Sequence, residues 1–222
     1  MLAVAGGKGG CGKTTTTLAL AAAIAETGRS VLAVDADREM PDLHVLADVT
    51  PEPNLADLGT HDADPLPVSE VAHEAPDYPG VRVVPAGQSV GAGPPLSTTC
   101  ARLADAADCV LLDCPAGAGT AAAAPLRAAE RALLVTTPVP ACLRDAATTA
   151  AMARALDATV VGAVLTRAER APDGVKRLLD CPVLSTVPAV ERPIRAGAAV
   201  LDDESVSAAY DRLGAALLSK HL

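Results

Sequence analysis

Gly7-Lys8-Gly9-Gly10-Cys11-Gly12-Lys13-Thr14-Thr15 follows the apolar run Leu2 to Ala5 with one residue between. The spacing GxxxxGK[ST] is that of a phosphate-holding loop. Its glycines tolerate positive φ and carry no Cβ, so the backbone N–H groups from Gly9, Gly10, Cys11 and Gly12 through Thr15 can close around a polyphosphate. Lys13 then reaches the outer phosphates and Thr14 offers its hydroxyl to Mg²⁺, while the helix starting here turns its positive dipole end to the anion. The flanks agree with this reading. A buried-type strand precedes the loop, and Leu18, Leu20, Ala21, Ala22, Ile24 and Ala25 continue as a helix until the stop signal Thr27-Gly28.

Composition sharpens the match. The chain has four lysines, Lys8, Lys13, Lys176 and Lys220, and two of them lie in this one loop. A length of 222 residues suits one α/β domain spanning 1–222, enough chain to bury about 70% of its unfolded surface. No apolar stretch approaches the roughly eighteen residues of a membrane span, and the first residues read as strand and loop instead of a secretory leader, so the expected location is cytoplasmic. Cys11, Cys100, Cys109, Cys114, Cys142 and Cys181 form no CxxC pair and read as reduced, mostly buried small hydrophobes. His61 with Asp62 and Asp64 sits in a Pro-rich segment, where a solvated loop explains it more simply than a metal site. The net charge of −9 either suits a high-salt setting or weighs against non-specific DNA binding.

Strand-like runs recur at Leu2 to Ala5, Val31 to Val34, Val81 to Val84, Cys109 to Leu112, Ala132 to Val135, Val160 to Leu165 and Val183 to Ser185. Most are continuous instead of alternating, as strands covered on both faces should be. Helical patterns lie between many of them, at Thr14 to Glu26, Thr98 to Ala107, Cys142 to Leu156 and Ser205 to Leu218. This alternation predicts an α/β fold with a doubly wound, mainly parallel sheet flanked by helices. Pro51 to Pro79 reads as a loop-rich excursion with one short helix near Asn54 to Leu58.

In such sheets ligands sit at the carboxyl ends of the strands, and the chemistry-bearing residues fall there. Asp113 closes Val110-Leu111-Leu112-Asp113, the position of the acid that supports Mg²⁺ in phosphate-loop proteins. Pro115-Ala116-Gly117 continues that loop, where the Gly117 N–H is expected near a terminal phosphate. Asp35-Ala36-Asp37 supplies two carboxylates at another strand end: Asp37 is expected to hold a metal-bound or attacking water, and Asp35 to terminate the strand. Asp42, after Pro41, reads as the N-cap of a short helix Leu43 to Leu46.

Taken together, the set resembles the MinD/ParA family of deviant Walker A P-loop ATPases, on its MinD side. The resemblance rests on Lys8 in the loop Lys8 to Thr15, on Asp35-Ala36-Asp37 with Pro41-Asp42-Leu43 as a first switch, and on Asp113-Cys114-Pro115-Ala116-Gly117 as a second. Pro85-Ala86-Gly87, Val135-Thr136-Thr137-Pro138 and Arg144-Asp145-Ala146 extend it along the chain. It implies ATP and Mg²⁺ as cofactors and an ATP-dependent homodimer. Lys8 would reach the partner copy's phosphates, Lys13 would bind the β- and γ-phosphates, Thr14 would ligate Mg²⁺, Asp37 would position Mg²⁺-linked or attacking water, and Asp113 would support the metal through its neighbours. Thr166-Arg167 stands where such proteins often carry Asn-Arg against the base, and Pro188 is a further base-side contact by resemblance. Val139 replaces a glutamate common in MinD proteins at a cross-dimer ribose contact.

The family also implies slow, partner-stimulated ATP hydrolysis, an unidentified protein partner, and the spatial positioning of a division, motility or chemotaxis complex. Two alternatives stay open within this reading. One is a ParA-type partition ATPase, which the dispersed arginines Arg127, Arg131, Arg154, Arg170 and Arg177 do not favour because they form no basic run. The other is a nucleotide-gated binding module with negligible turnover. An Fe–S carrier would need paired cysteines that the sequence lacks. The C-terminal stripe Val206, Ala209, Leu213, Ala216 and Leu217 has only Arg212 and Lys220 as nearby basic residues and no Phe or Trp anchor, so it is expected to pack on the sheet instead of binding lipid.

Overall fold

The computed structural model describes residues 1–59, 65–87, 96–190 and 201–221, so His61, Asp62 and Asp64 lie outside the described residues. The strands are β1 (Leu2–Ala5), β2 (Val31–Asp35), β3 (His73–Glu74), β4 (Val81–Val84), β5 (Cys109–Asp113), β6 (Arg131–Thr136), β7 (Thr159–Thr166) and β8 (Val183–Val187). Among the described residues they form one eight-stranded sheet in the order β3-β4-β2-β5-β1-β6-β7-β8. All neighbours run parallel except β3, which pairs antiparallel with β4 at the edge. The fold is therefore the doubly wound α/β sheet that the continuous apolar runs predict.

The two faces of the sheet explain why those runs do not alternate. Leu2 and Val4 of β1, with Val31 and Ala33 of β2, belong to a core shared with α1 (Lys13–Ala25) and α8 (Glu204–Leu218). Ala3 and Ala5, with Leu32 and Val34, point into a second core against α4 (Leu96–Ala104) and α5 (Thr120–Ala129). Side chains of opposite parity thus meet helices on opposite sides, and each position must be apolar. A third core joins Leu134, Ala163 and Leu165 to α6 (Pro140–Ala155) and α7 (Val175–Leu179).

Helix α1 is buried along most of its length because it lies between the sheet and α8. Val206, Ala209, Leu213 and Leu217 of α8 are buried against it, and Ala216 is half-buried, so the C-terminal stripe is taken up by packing. Asp203 starts α8, its carboxylate accepting the backbone N–H groups of Ser205 at 2.9 Å and Val206 at 3.3 Å. Among the described residues, no helix is long and apolar enough to cross a membrane.

Four elements were not expected: α3 (Val68–Val71), β3, α5 and α7. Helix α5 contains Pro125, which reads in sequence as a breaker, yet the alanine-rich turns around it stay helical and Pro125 itself is buried. The excursion after Pro51 holds α3 (Val68–Val71) and β3 as well as the short turn near Asn54. That turn is a 3₁₀ segment, Leu55–Leu58, closed by reciprocal bonds: Asn54 Oδ1 accepts from the Ala56 N–H at 2.9 Å and Asp57 accepts from the Asn54 N–H at 2.8 Å.

Candidate functional site

The loop between β1 and α1 crosses the carboxyl end of the sheet, with β1 flanked by β5 and β6. Gly10 and Gly12 adopt φ of 75° and 89°, the left-handed region that a side chain resists, so the turn into α1 depends on glycine there. No side chain caps α1, whose N-cap residue is Gly12. The opening N–H groups of a helix need an acceptor, and the dipole favours an anionic one. Lys13 is 9% exposed at the start of α1, while Lys8 is exposed on the loop.

A cavity of about 550 Å³ opens here, lined by Gly9, Gly10, Gly12, Lys13, Thr14, Thr15, Asp37, Met40, Asp42, Val45, Leu46, Asp113, Cys114, Ala116 and Arg167. The ends of four strands, β1, β2, β5 and β7, thus supply one site. Cys11 does not line it: its thiol is buried and donates to the Val135 carbonyl at 3.3 Å, and burial pushes its pKa up. All six cysteines are free thiols.

The carboxylates divide the work among them. Asp35 and Asp113 are register partners on β2 and β5, and both side chains are buried. Burial, then the neighbouring Asp113 charge, pushes Asp35 up to about 8. Burial also raises Asp113, against the opposing pull of a Thr14 hydrogen bond and of the Lys13 charge. Asp35 does more than end its strand. Its Oδ1 accepts the Asp37 N–H at 2.9 Å and its Oδ2 accepts the Leu43 N–H at 3.2 Å, so one buried carboxyl fixes both ends of the segment between. Asp37 Oδ1 in turn accepts the N–H groups of Glu39 at 3.2 Å and Met40 at 3.0 Å.

Asp42 departs from its expected capping role. It precedes the short helix α2 (Leu43–Leu46), but its side chain makes no cap bond, and the Leu43 N–H is served by Asp35. Instead Asp42 Oδ1 accepts the Thr14 hydroxyl at 3.0 Å, across 28 residues. Asp113 Oδ1 accepts the Thr17 hydroxyl at 3.2 Å, a residue that sequence reading did not single out. Spacing carried no signal for either bond.

Two other expected contacts are spent within the protein. The Gly117 N–H donates to the Gly6 carbonyl at 3.2 Å, tying the segment after β5 to the start of the phosphate loop instead of facing the cavity. Thr166 is buried and does not line the cavity; its hydroxyl donates to the Cys11 carbonyl at 2.7 Å and reaches the Thr136 carbonyl at 3.3 Å. Arg167, at φ 54°, donates to the Gly10 carbonyl at 3.0 Å while lining the cavity. Consecutive residues at the end of β7 therefore hold consecutive carbonyls of the loop. Pro188, just past β8, is partly buried and outside the cavity wall, and Val139 is exposed.

The donor set fits a polyphosphate: left-handed glycines, an uncapped helix start and a buried lysine meet at one cavity. Among the described residues no three His, Cys, Asp or Glu side chains are arranged to hold a metal by themselves. Thr14 and Asp42 offer oxygens at the cavity, and a hard cation such as Mg²⁺ takes one or two protein oxygens together with waters and phosphates.

The nucleotide-binding domain shared by CobQ, CobB, MinD and ParA proteins matches residues 2–200. An uncharacterized ATP-binding protein of Methanocaldococcus jannaschii is 31% identical over 198 residues, covering 84% of this chain and 73% of that protein. The cell division ATPase MinD of Pyrococcus furiosus superposes with a TM-score of 0.86 at 28% identity, covering 98% of each chain. MinD of Pyrococcus horikoshii, solved as its complex with Mg-ADP, gives 0.82 at 27% identity over 99% of this chain and 95% of that one. With the domain match spanning nearly the whole chain, the chain belongs to the CobQ/CobB/MinD/ParA family of nucleotide-binding proteins.

Proposed function

We propose that this chain is a MinD-like ATPase whose Mg²⁺–ATP-dependent homodimer is a switch, reset by slow hydrolysis and read by a protein partner to position a cellular complex. The observation that carries this reading is the division between the two loop lysines. Lys13 is buried at the cavity, where it would serve its own nucleotide, whereas Lys8 on the same loop is exposed and available to a second copy. The Mg-ADP complex of the Pyrococcus horikoshii protein supports the choice of nucleotide and metal.

In this reading the loop N–H groups and Lys13 would bind and orient the phosphates, and Thr14 would offer an oxygen to the metal. Bound Mg²⁺ would supply neutralisation of phosphate charge. Asp37, held at the end of β2 and lining the cavity, would orient an attacking water, and Asp113 would act through the hydroxyl it accepts. Positioning and electrostatics carry such chemistry, with no covalent intermediate on the protein.

Mass measurement by light scattering tests the proposal. With Mg²⁺ and ATP the wild-type chain is expected at twice its 22.2 kDa mass, and with ADP at the single mass. Lys8→Ala is expected to bind nucleotide and stay monomeric. A wild type that is monomeric with ATP, together with a Lys8→Ala protein indistinguishable from it, overturns the reading.

A further inference from the structure

We propose that Asp42 is a positioning residue for Thr14, turning the lone pairs of that hydroxyl toward the metal. The inference rests on the Mg²⁺–nucleotide reading of the cavity given above. A hydroxyl has one proton and two lone pairs, and a cation can be met only by the lone pairs. Where the proton points therefore decides where the ligand atom points. In this structure the Thr14 proton goes to Asp42 Oδ1 at 3.0 Å, a bond to a charged acceptor. Such a partner both orients a metal-binding oxygen and raises its basicity.

Three observations separate this role from capping. Asp42 stands at the N-cap position of α2 but makes no cap bond with its side chain. The first N–H of that helix, from Leu43, is taken by Asp35 Oδ2 at 3.2 Å, so another carboxyl serves the helix start. Of the two carboxylates near Thr14, Asp42 takes its hydroxyl at 3.0 Å, while Asp113, on which Thr14 also acts, takes the Thr17 hydroxyl at 3.2 Å. Asp42 and Thr14 both line the cavity, and the charged groups facing them there are Lys13, Asp37, Asp113 and Arg167. A carboxylate placed among other carboxylates is electrostatically costly unless a cation shares the space. The same bond ties the segment bearing Met40 and Val45, both exposed at the cavity rim, to the phosphate loop.

The test compares the affinity for a fluorescent N-methylanthraniloyl-ADP with Mg²⁺ and with EDTA. The wild type is expected to bind more tightly with Mg²⁺. Asp42→Ala is expected to lose about tenfold to a hundredfold of that enhancement, the usual loss when the group behind a metal ligand is removed, with affinity in EDTA unchanged or slightly improved. Asp42→Asn keeps an acceptor oxygen and should recover much of the enhancement. In a Thr14→Ala background, Asp42→Ala should remove nothing further. Equal loss in Mg²⁺ and in EDTA would mean a merely structural role, and an enhancement that survives Asp42→Ala would overturn the inference by itself. A wild type with no Mg²⁺ enhancement overturns the underlying site reading and this inference with it.

Discussion

Asp35 and Asp113 stand side by side at the carboxyl ends of β2 and β5, both buried, with the charge of one opposing ionisation of the other. Burial first, and the Asp113 charge second, raise Asp35 from 3.8 to about 8 in the folded chain. Asp113 is raised as well, chiefly by burial. Between these values the unfolded chain releases protons that the folded chain keeps, so stability is greatest at acid pH and falls as pH rises through the folded pKa. Urea unfolding in EDTA at pH 5, 6, 7 and 8 is expected to show stability declining with pH. Asp35→Asn should flatten that decline. It should also be less stable at pH 5, since an amide nitrogen cannot accept the N–H from Asp37 or Leu43 that Asp35 accepts. An unchanged slope in Asp35→Asn would remove Asp35 from the account.

Gly7 and Gly9 lie two residues apart and should fail differently. A Cβ on Gly7 would sit 2.2 Å from the carbonyl carbon and 2.3 Å from the oxygen of Asp145, backbone of α6 that cannot rotate away. Gly7→Ala is expected to lose about 1–3 kcal/mol of stability without ligand, the range for overpacked sites. A Cβ on Gly9 would meet nothing within 4 Å, yet Gly9 lines the cavity. Gly9→Ala should therefore keep its stability within about 0.5 kcal/mol and lose nucleotide affinity. Thermal melts and nucleotide titrations on both variants separate the effects.

The fold was legible because a parallel sheet covered on both sides leaves continuous apolar runs, as in Val31 to Val34 and Cys109 to Leu112. The loop was legible because its chemistry is local: glycines, a lysine and a threonine within nine residues. Long-range side-chain pairing was not. Nothing in the spacing of Thr14 and Asp42, or of Thr17 and Asp113, says which hydroxyl meets which carboxylate, because strand order and the path of the segment after β2 decide it. Helix α5 was hidden for a different reason, since Pro125 suppresses a local pattern that packing of Leu126 and Ala129 sustains. The two-residue β3 exists through its pairing with β4 and has no pattern of its own.

Thr166 occupies the position where the family often has asparagine, and its hydroxyl is spent on the Cys11 and Thr136 carbonyls. Thr166→Val preserves the branched shape and deletes the donor, leaving a buried loop carbonyl without that bond. The expected cost is about 1–3 kcal/mol, the range for an orphaned buried polar group. Because the loop itself is released, nucleotide affinity should fall in parallel. Urea unfolding and a nucleotide titration on the same preparation check both, and full stability in Thr166→Val would show that the loop is held by other contacts.

Tyr210 on α8 and Thr16 on α1 share a hydrogen bond of 3.2 Å in a fully buried setting directly behind the phosphate loop. The bond is the polar fixture between two helices whose contact is otherwise apolar along Val206, Leu213 and Leu217. Tyr210→Phe strands the Thr16 hydroxyl and Thr16→Val strands the tyrosine hydroxyl, so each is expected to cost about 1–3 kcal/mol. The double variant removes both polar groups and should cost less than the sum, with a coupling of about 1 kcal/mol. Urea unfolding followed by far-ultraviolet circular dichroism measures the cycle. Strict additivity would mean that each hydroxyl is satisfied independently of the other, and that α8 holds α1 through apolar packing alone.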